Sequence, residues 1–311
     1  MSYDLIGDIH GHAGPLVELL EKLGYEESDG IYRHPDRQVI FLGDFIDRGP
    51  EQREVIDIVR PMIDSDTAFS VMGNHEFNAI AYATESSDDD GNYLRPHTEK
   101  NRTQHQAFLD AYQDSDEYHE LIQWFRHLPL WLDFDDLRVV HACWDDKLMH
   151  FLEKRYPGVN DYFDGELLAA ASTKGRTEFK AVETLLKGRE VPLPKGQHFH
   201  DKDGNPRHEI RVRWWDADAK SYRDAFLGPD AALSHIPEDP LDVDHEIVYS
   251  SDAPPVFVGH YWMDGEPAPL APNIACLDYS IAAPKGGRLV AYRWDGEQEL
   301  DKGKFVSVTR G

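Results

Sequence analysis

The chain has 311 residues, of which 41% are hydrophobic and 11% aromatic, and its formal net charge is −26. This composition excludes a disordered chain, and the length allows one large α/β domain or a domain with a sizeable insertion. The acidic excess disfavours binding to nucleic acid or anionic membranes, and no apolar run reaches the roughly 18 residues of a membrane span. Because the start, Met-Ser-Tyr-Asp, lacks the basic and apolar regions of a signal peptide, we expect a cytoplasmic protein.

The amino-terminal part predicts a layer of alternating strands and helices. Residues 15–24 carry leucines at helical spacing, and residues 51–63 predict a second helix that Pro61 bends or ends. The flanking apolar stretches predict parallel strands, whose carboxyl ends meet at one edge of the sheet. That edge collects three polar pairs: Asp8 and His10 after residues 3–7, Asp44 and Asp47 after residues 39–43, and Asn74 and His75 after residues 68–72.

The rest of the chain returns to strands after two excursions. The first, residues 77–127, has a mostly helical pattern with an acidic loop at 88–90, and the second, about 150–250, predicts an insertion or cap within a single domain of residues 1–311. Cys143 and Cys276 lie in apolar runs and are expected to be buried core residues. The remaining predicted elements are a helix at 166–187, an alternating strand at 210–214, a strand at 137–140 ending at His141, a strand at 256–258 ending at His260, and closing strands at 275–277, 289–294 and 305–309.

The polar residues at these strand ends suggest a metal site. Carboxylate and amide oxygens mixed with imidazoles suit Mn, Fe, Zn or Mg better than a soft copper site. A single histidine at a strand end is more often a hydrogen-bonding residue than a ligand, and Asp44 and Asp47 could instead cap a helix and pair with Arg48. Polar residues of this kind follow the ends of five strands. We therefore prefer the interpretation that these side chains converge on one metal site.

Four motifs carry a family resemblance. They are Gly-Asp-Ile-His-Gly at 7–11, Gly-Asp-Phe-Ile-Asp-Arg-Gly at 43–49, Gly-Asn-His-Glu at 73–76, and the late histidines in Val-Val-His141 and Val-Gly-His260. The chain resembles the calcineurin-like metallophosphoesterases over roughly residues 1–150 and 255–295. It is most similar to the phosphoprotein phosphatase branch, which includes bacterial serine/threonine phosphatases and diadenosine tetraphosphatases. The resemblance implies a four-layer α/β/β/α sandwich with a helical or irregular insertion.

The resemblance also implies a role for each motif residue. Two divalent ions are expected, with Mn favoured and Fe, Zn, Mg or Ni as alternatives, and a hydroxide that bridges them would attack the phosphoryl group. Asp8 and His10 would hold one ion, Asn74, His141 and His260 the other, and Asp44 would bridge them. His75 would be the general acid, Asp47 would orient its ring, Arg48 and Asn74 would bind phosphate, and Glu76 would support the site from outside the ligand set.

The sequence departs from the family pattern around the substrate. Ala142 and Cys143 stand where two glycines are usual, and Tyr261 replaces a threonine. The second phosphate-binding arginine has no clear counterpart. Arg213 is the first candidate and Arg211 the next, although a plain amphipathic edge strand explains both equally well.

Three functions remain open at this stage. The preferred one is hydrolysis of a phosphomonoester, such as phosphoserine or phosphothreonine in a protein, because the chain has Asp-Arg-Gly at 47–49 and Asn-His-Glu at 74–76. The alternatives are hydrolysis of dinucleoside polyphosphates, whose enzymes in this family often carry Ala-Arg-Gly and Asn-His-Asp, and a catalytically silent binding protein. The expected partner is a phosphorylated substrate, with no nucleic acid and no membrane.

Overall fold

The computed structural model describes residues 2–86, 91–200, 206–241 and 249–310. The predicted acidic loop at 88–90 lies outside the described residues. The strands are β1 Ser2–Ile6, β2 Glu26–Ser28, β3 Ile31–Arg33, β4 Arg37–Phe41, β5 Ala68–Ser70, β6 Trp131–Asp133, β7 Arg138–Val140, β8 Glu190–Pro192, β9 Phe199–His200, β10 Pro206–Arg207, β11 Glu209–Arg211, β12 Val256–Val258, β13 Ile274–Cys276, β14 Asp278–Tyr279, β15 Arg288–Trp294 and β16 Phe305–Thr309.

Helices lie between these strands, singly or in groups. They are α1 Ala13–Leu23, α2 Gln52–Asp64, α3 Asn74–Ala83, α4 Glu99–Gln104, α5 Gln106–Tyr112, α6 Glu117–Phe125, α7 Asp146–Arg155, α8 Gly165–Ala171, α9 Thr177–Lys187 and α10 Tyr222–Ala225, with 3₁₀ turns at Asp230–His235 and Lys302–Lys304. Within the residues described, no helix is long and apolar enough to cross a bilayer.

Two sheets pack face to face. The first has the order β14-β15-β1-β4-β5, with β16 paired to β15, and the second has the order β13-β12-β7-β6. The strands β1, β4 and β5 are parallel, as are β7, β12 and β13. Their carboxyl ends are therefore available for one site, as open α/β sheets arrange them.

Alternation along the strands separates the layers. Leu5 and Ile40 of the first sheet pack with Phe257 of the second in an apolar layer between the sheets. Their chain neighbours, including Ile6 and Phe41, face away from it and join the cluster that contains the helices. Because successive strand residues point to opposite faces, each sheet is buried on both sides. This is the predicted α/β/β/α sandwich.

Two predicted elements are wrong in extent. The helix expected at 166–187 is two helices, α8 and α9, because Gly175 adopts a left-handed φ of 88° that an α-helix cannot continue through. The strand expected at 210–214 stops at Arg211, because Trp214 and Trp215 are both buried in the helix-containing core and so cannot face opposite sides of a strand. Pro61 lies within α2, which continues to Asp64.

The second excursion contains two kinds of structure. Its helices α7, α8 and α9 bury residues such as Leu152 and Leu185 in the main core. By contrast, β8, β11 and α10 surround a small apolar cluster of their own: Val191, Leu193, Ile210, Val212, Tyr222, Ala225, Phe226 and Ile236. We call residues 190–241 the inserted cluster. Cys143 and Cys276 are buried and unpaired, as expected.

Candidate active site

Strand ends from both sheets bring the predicted ligands together. Asp8, Asp44 and Asn74 follow the first sheet, and His141 and His260 follow the second. His260 is partly exposed, whereas the other predicted ligands are buried. A set of buried carboxylates and imidazoles at the junction of two sheets is unusual for a core, because buried charges require compensating partners.

The loops that carry these side chains have a strained backbone. His10, Asp44 and His260 have φ values of 47°, 52° and 70°, and Asp47 and Arg48 both have 69°. Left-handed φ values in residues other than glycine cost free energy and cluster at sites where function needs an unusual side-chain direction. These strained residues therefore lie at the strand ends where the sequence predicts the site.

Glycines in the motifs leave room for the ligand carboxylates. A Cβ on Gly259 would lie 2.1 Å from Asp8 Oδ1, and one on Gly73 would lie 2.2 Å from Asp44 Oδ1. Glu76 fixes the same region from beneath, since its carboxylate accepts hydrogen bonds from the backbone N–H groups of Asp44 and Gly73 at 2.8 and 3.0 Å. Gly73, Gly259 and Glu76 therefore support the positions of the ligand carboxylates and backbone.

We call the predicted ligands Asp8, His10, Asp44, Asn74, His141 and His260 the ligand cluster. Its first half is built on His10. Its Nδ1 lies 3.0 Å from the Ile46 carbonyl and therefore carries the proton, which leaves a lone pair on Nε2. This buried Nε2 has no hydrogen-bond partner among the described residues, and it faces Asp44 Oδ2 at 3.6 Å and Asp8 Oδ2 at 4.0 Å. Burial, with His75 nearby, lowers the pKa of His10 to about 3, so the ring is neutral and ready to bind a cation.

The second half shares Asp44 with the first. His141 Nδ1 donates to the Leu42 carbonyl at 2.6 Å, and its Nε2 lies 3.4 Å from Asp44 Oδ2 and 3.3 Å from Asn74 Oδ1. His260 Nδ1 lies 2.7 Å from the same Asn74 oxygen. Asp44 Oδ2 thus faces both halves, which is the position of a bridging carboxylate.

The charges in the cluster fit divalent cations. Burial opposes ionisation of Asp44, but the neighbouring His141 and His75 outweigh it and hold the pKa of Asp44 well below its usual range. Burial, followed by the nearby Asp278 carboxylate, raises the pKa of Asp8 well above its usual range. Cations would relieve this crowding of carboxylates, and the donor set of hard oxygens and imidazole nitrogens matches them.

His75 faces Asp44 but is tied to a different carboxylate. Its Nδ1 lies 2.5 Å from Asp47 Oδ2, and its Nε2 lies 4.0 Å from Asp44 Oδ2. By distance alone, His75 groups with His10 and Asp44 as a possible ligand. Burial lowers the pKa of His75, but the Asp44 and Asp47 carboxylates outweigh burial and raise it, which suits a ring that gives up a proton.

Sequence reasoning missed two residues that hold Asp47. His105 Nδ1 lies 2.7 Å from Asp47 Oδ1, although the two residues are 58 apart in the chain. The side-chain oxygen of Gln52 accepts from the Asp47 N–H at 2.8 Å, and its amide donates to the Gly49 carbonyl at 2.7 Å. No motif marks His105, which lies in the polar stretch between α4 and α5. Gln52 could have been suspected from its place next to the Asp-Arg-Gly turn.

The two predicted phosphate-binding arginines differ in their surroundings. Arg48 is exposed beside the first half, with its guanidinium carbon 4.3 Å from the ring centroid of Trp262, a residue that is itself 40% exposed. Arg213 lines a cavity with Trp215 and Asn273. It is instead Arg211 that contacts the cluster, since its Nη1 lies 3.2 Å from His260 Nε2. Arg213 as a phosphate ligand stays a prediction, and the contacts favour Arg211.

The residues that depart from the family pattern contact one another. Tyr261 donates its hydroxyl proton to the Ala142 carbonyl at 2.8 Å, and Trp214 Nε1 approaches the same hydroxyl at 2.9 Å. Through Trp214, these contacts anchor the middle of the inserted cluster to the residues next to His141 and His260.

Comparisons with known proteins identify the family. The sequence pattern of calcineurin-like phosphoesterases matches residues 1–260. The chain belongs to this family. Its segment of 158 residues, half of the chain, is 31% identical to 61% of the bis(5'-nucleosyl)-tetraphosphatase PrpE (asymmetrical) of Oceanobacillus iheyensis. A segment of 76 residues, 24% of the chain, is 51% identical to 31% of the protein of that name from Halalkalibacterium halodurans.

The chain therefore spans between about a third and three fifths of these curated relatives. Among solved structures, a cold-active protein tyrosine phosphatase matches with a TM-score of 0.51 and 19% identity, over 98% of this chain and 78% of that one. This match supports the fold only. Membership of this family implies divalent metal ions, and the structure offers candidate histidine and aspartate ligands for them.

Proposed function

We propose that the protein hydrolyses dinucleoside polyphosphates with two divalent ions held by the cluster around Asp44. The observation that carries the catalytic part is the shared carboxylate: Asp44 Oδ2 lies 3.6 Å from His10 Nε2 and 3.4 Å from His141 Nε2. When bound, two such ions supply a nucleophile near neutral pH and neutralise the phosphoryl oxygens.

The chain's own residues do the remaining work in this proposal. Asp8 and His10 would hold one ion, Asn74, His141 and His260 the other, and manganese is the preferred metal. The charge of Arg48 acts on His10 of the first half, and Arg211 contacts His260 of the second half, so each would bind the phosphate chain beside its own half of the cluster. His75, oriented by Asp47, would give its Nε2 proton to the leaving oxygen.

The substrate assignment departs from the preference that the motifs alone support. The relatives that match the chain at 31% and 51% identity are named as tetraphosphatases, although Asp47 and Glu76 are the residues expected of a phosphatase.

Direct comparison of substrates tests the proposal. Purified protein, assayed in separate Mn²⁺, Zn²⁺ and Mg²⁺ buffers, should hydrolyse diadenosine tetraphosphate with a higher kcat/KM than a phosphoserine peptide or p-nitrophenyl phosphate. Hydrolysis of the monoesters alone, in every metal buffer, would refute the assignment of a dinucleoside polyphosphate as substrate. It would still support a phosphoesterase activity.

A protein phosphatase is the second candidate, and the His75–Asp47 contact of 2.5 Å favours it. A serine alkoxide is strongly basic and needs a proton to leave, whereas the phosphate that leaves from an anhydride is weakly basic. A well-oriented acid is therefore worth most to an enzyme that cleaves alkyl phosphates.

A further inference from the structure

A cavity of about 890 Å³ opens in the inserted cluster beside Arg211. Phe199 and Phe226 form part of its wall, with their rings packed edge to face at 5.8 Å and 80°. The 3₁₀ turn at Asp230–His235 supplies Ala231 and Ala232 to the lining. The volume lies within the range of small-molecule binding sites, which are mostly apolar with a few polar groups.

Arg211 connects this cavity to the metal-ligand cluster. It lines the cavity, and its Nη1 also lies 3.2 Å from His260 Nε2. Its side chain is half-buried, and its Nη2 lies 3.7 Å from Glu190 Oε1, so donors of the guanidinium remain for a phosphate group. A phosphate chain that leaves the ligand cluster beside His260 can therefore contact Arg211, which also lines the cavity.

Among the ionisable side chains that line the cavity, cationic and imidazole groups outnumber carboxylates. In the whole chain, by contrast, acidic residues outnumber basic ones by 58 to 32. These groups are Arg207, Arg211, His200, His208 and His235, against Glu190 and Glu209. With the histidines neutral, the two arginines balance the two glutamates, so this lining lacks the net negative charge that makes the chain as a whole repel a phosphate chain.

We propose that this cavity is a subsite for the nucleoside of a nucleoside polyphosphate, with the partly exposed Phe199, backed by the buried Phe226, facing the base and Arg211 binding the phosphates next to it. The inference rests on the proposed function and names the part of the substrate that the inserted cluster recognises. A base stacks on aromatic side chains through its flat face, which a phosphoserine peptide does not offer at the corresponding distance from its phosphate.

The molecule provides a matched control. A second cavity of about 840 Å³ also lies against the inserted cluster, but it is lined by Arg213, Trp215 and Ala217. Ala231 and Ala217 are both exposed alanines, one in each cavity. Tryptophan at either position adds the same volume to the lining of its own cavity and leaves the metal ligands in place.

The test measures inhibition of p-nitrophenyl phosphate hydrolysis by ATP and by inorganic tripolyphosphate, at matched free concentrations of the activating metal ion. The two inhibitors have the same phosphate chain, so the ratio of their inhibition constants reports the nucleoside alone. We expect the wild-type protein to bind ATP at least about tenfold more tightly than tripolyphosphate. Ala231→Trp should bring the ratio close to one, and Ala217→Trp should keep it. His200→Trp, which fills the same cavity from β9, is the second variant if Ala231→Trp does not fold.

A wild-type ratio near one would overturn the subsite, as would a high ratio that persists in both Ala231→Trp and His200→Trp. Failure of the proposed function has a different signature, namely no turnover of diadenosine tetraphosphate by the wild-type protein. Because the inhibition ratio does not depend on that turnover, the two failures are distinguishable.

Discussion

The metal-ligand cluster and the inserted cluster achieve their geometry in different ways. At the ligand cluster, side chains follow short buried strands directly, and glycines, left-handed φ values and backbone hydrogen bonds fix their directions. In the inserted cluster, short strands and a 3₁₀ turn surround a small apolar core, and Arg211 reaches the site from a distant part of the chain. In the proposed function, the first region would carry out the chemistry, and the second could change selectivity without disturbing it.

The largest expected effect comes from removing the residue that the two halves share. Asp44→Asn should lower turnover of every substrate by more than about 10⁴-fold, because a water that loses its metal ions returns from a pKa near 7 towards 15.7. The measurement is kcat/KM together with the metal content of the purified protein. Both ions should be lost together, since Asp44 Oδ2 faces both halves.

An Asp44→Asn protein that retains two ions and near-native turnover would contradict the shared site. Asp295→Asn is a suitable control. Asp295 is paired with Arg37 and Lys304 at the other end of the first sheet, so this variant should leave metal content unchanged.

This contrast also explains what the sequence could predict. Asp8, Asp44, Asn74, His141 and His260 each follow an apolar strand within a few residues, so a local pattern was enough to place them. The four-layer sandwich was implied by the family resemblance, whereas the strand pattern alone predicted only a layer of alternating strands and helices. His105 and Arg211 reach the site through contacts between residues that are 58 and 49 apart in the chain, and no periodicity or motif reports such contacts.

The arginine assignment shows the limit most clearly. The alternation at 210–214 predicted a strand in which Arg211 and Arg213 share one face. The strand ends at Arg211 because Trp214 and Trp215 both enter the main core, so the two arginines separate into different cavities. The strand end depends on tertiary packing, which the local pattern does not contain.

The second largest effect should depend on the leaving group. His75→Asn should lower hydrolysis of a phosphoserine peptide by on the order of 10²- to 10⁴-fold, because an alkoxide leaves poorly without a proton. The loss should be much smaller for p-nitrophenyl phosphate and for diadenosine tetraphosphate, whose leaving groups are weak bases. Equal losses for all three substrates, with chemistry rate-limiting, would contradict the acid role, and loss of metal would instead make His75 a ligand.

An intermediate effect should separate the two arginines of the inserted cluster. Arg211→Ala should weaken inhibition by inorganic phosphate roughly 10- to 100-fold, the range expected for hydrogen bonds to a charged group. Arg213→Ala should leave inhibition unchanged, because Arg213 lines the other cavity. Metal content serves as the control for both variants. The opposite pattern would return the phosphate-binding role to Arg213 and would remove the contrast between the two cavities.

The smallest effect concerns His105, which lies between α4 and α5. It contacts Asp47, the residue that orients the proposed general acid His75. Its ring is buried, stacks on Phe108 at 4.8 Å and directs Nδ1 to Asp47 Oδ1, while His75 takes the other carboxylate oxygen. His105→Phe keeps the stacking but removes this donor, so Asp47 can rotate and His75 loses its orientation. We expect about a tenfold loss on a phosphoserine peptide, at the low end of what losing an outer hydrogen-bond partner costs. The loss on p-nitrophenyl phosphate should be smaller.

His105→Asn separates positioning from packing, because its amide nitrogen can occupy the position of Nδ1. It should recover most of the activity on phosphoserine although it fills less of the space beside Phe108. If His105 only packs against its neighbours, the order reverses: His105→Phe is then the milder change, and neither variant alters the preference between alkyl and aryl leaving groups. Measuring thermal unfolding beside both rates decides between these cases, since a packing role moves Tm without moving the leaving-group preference.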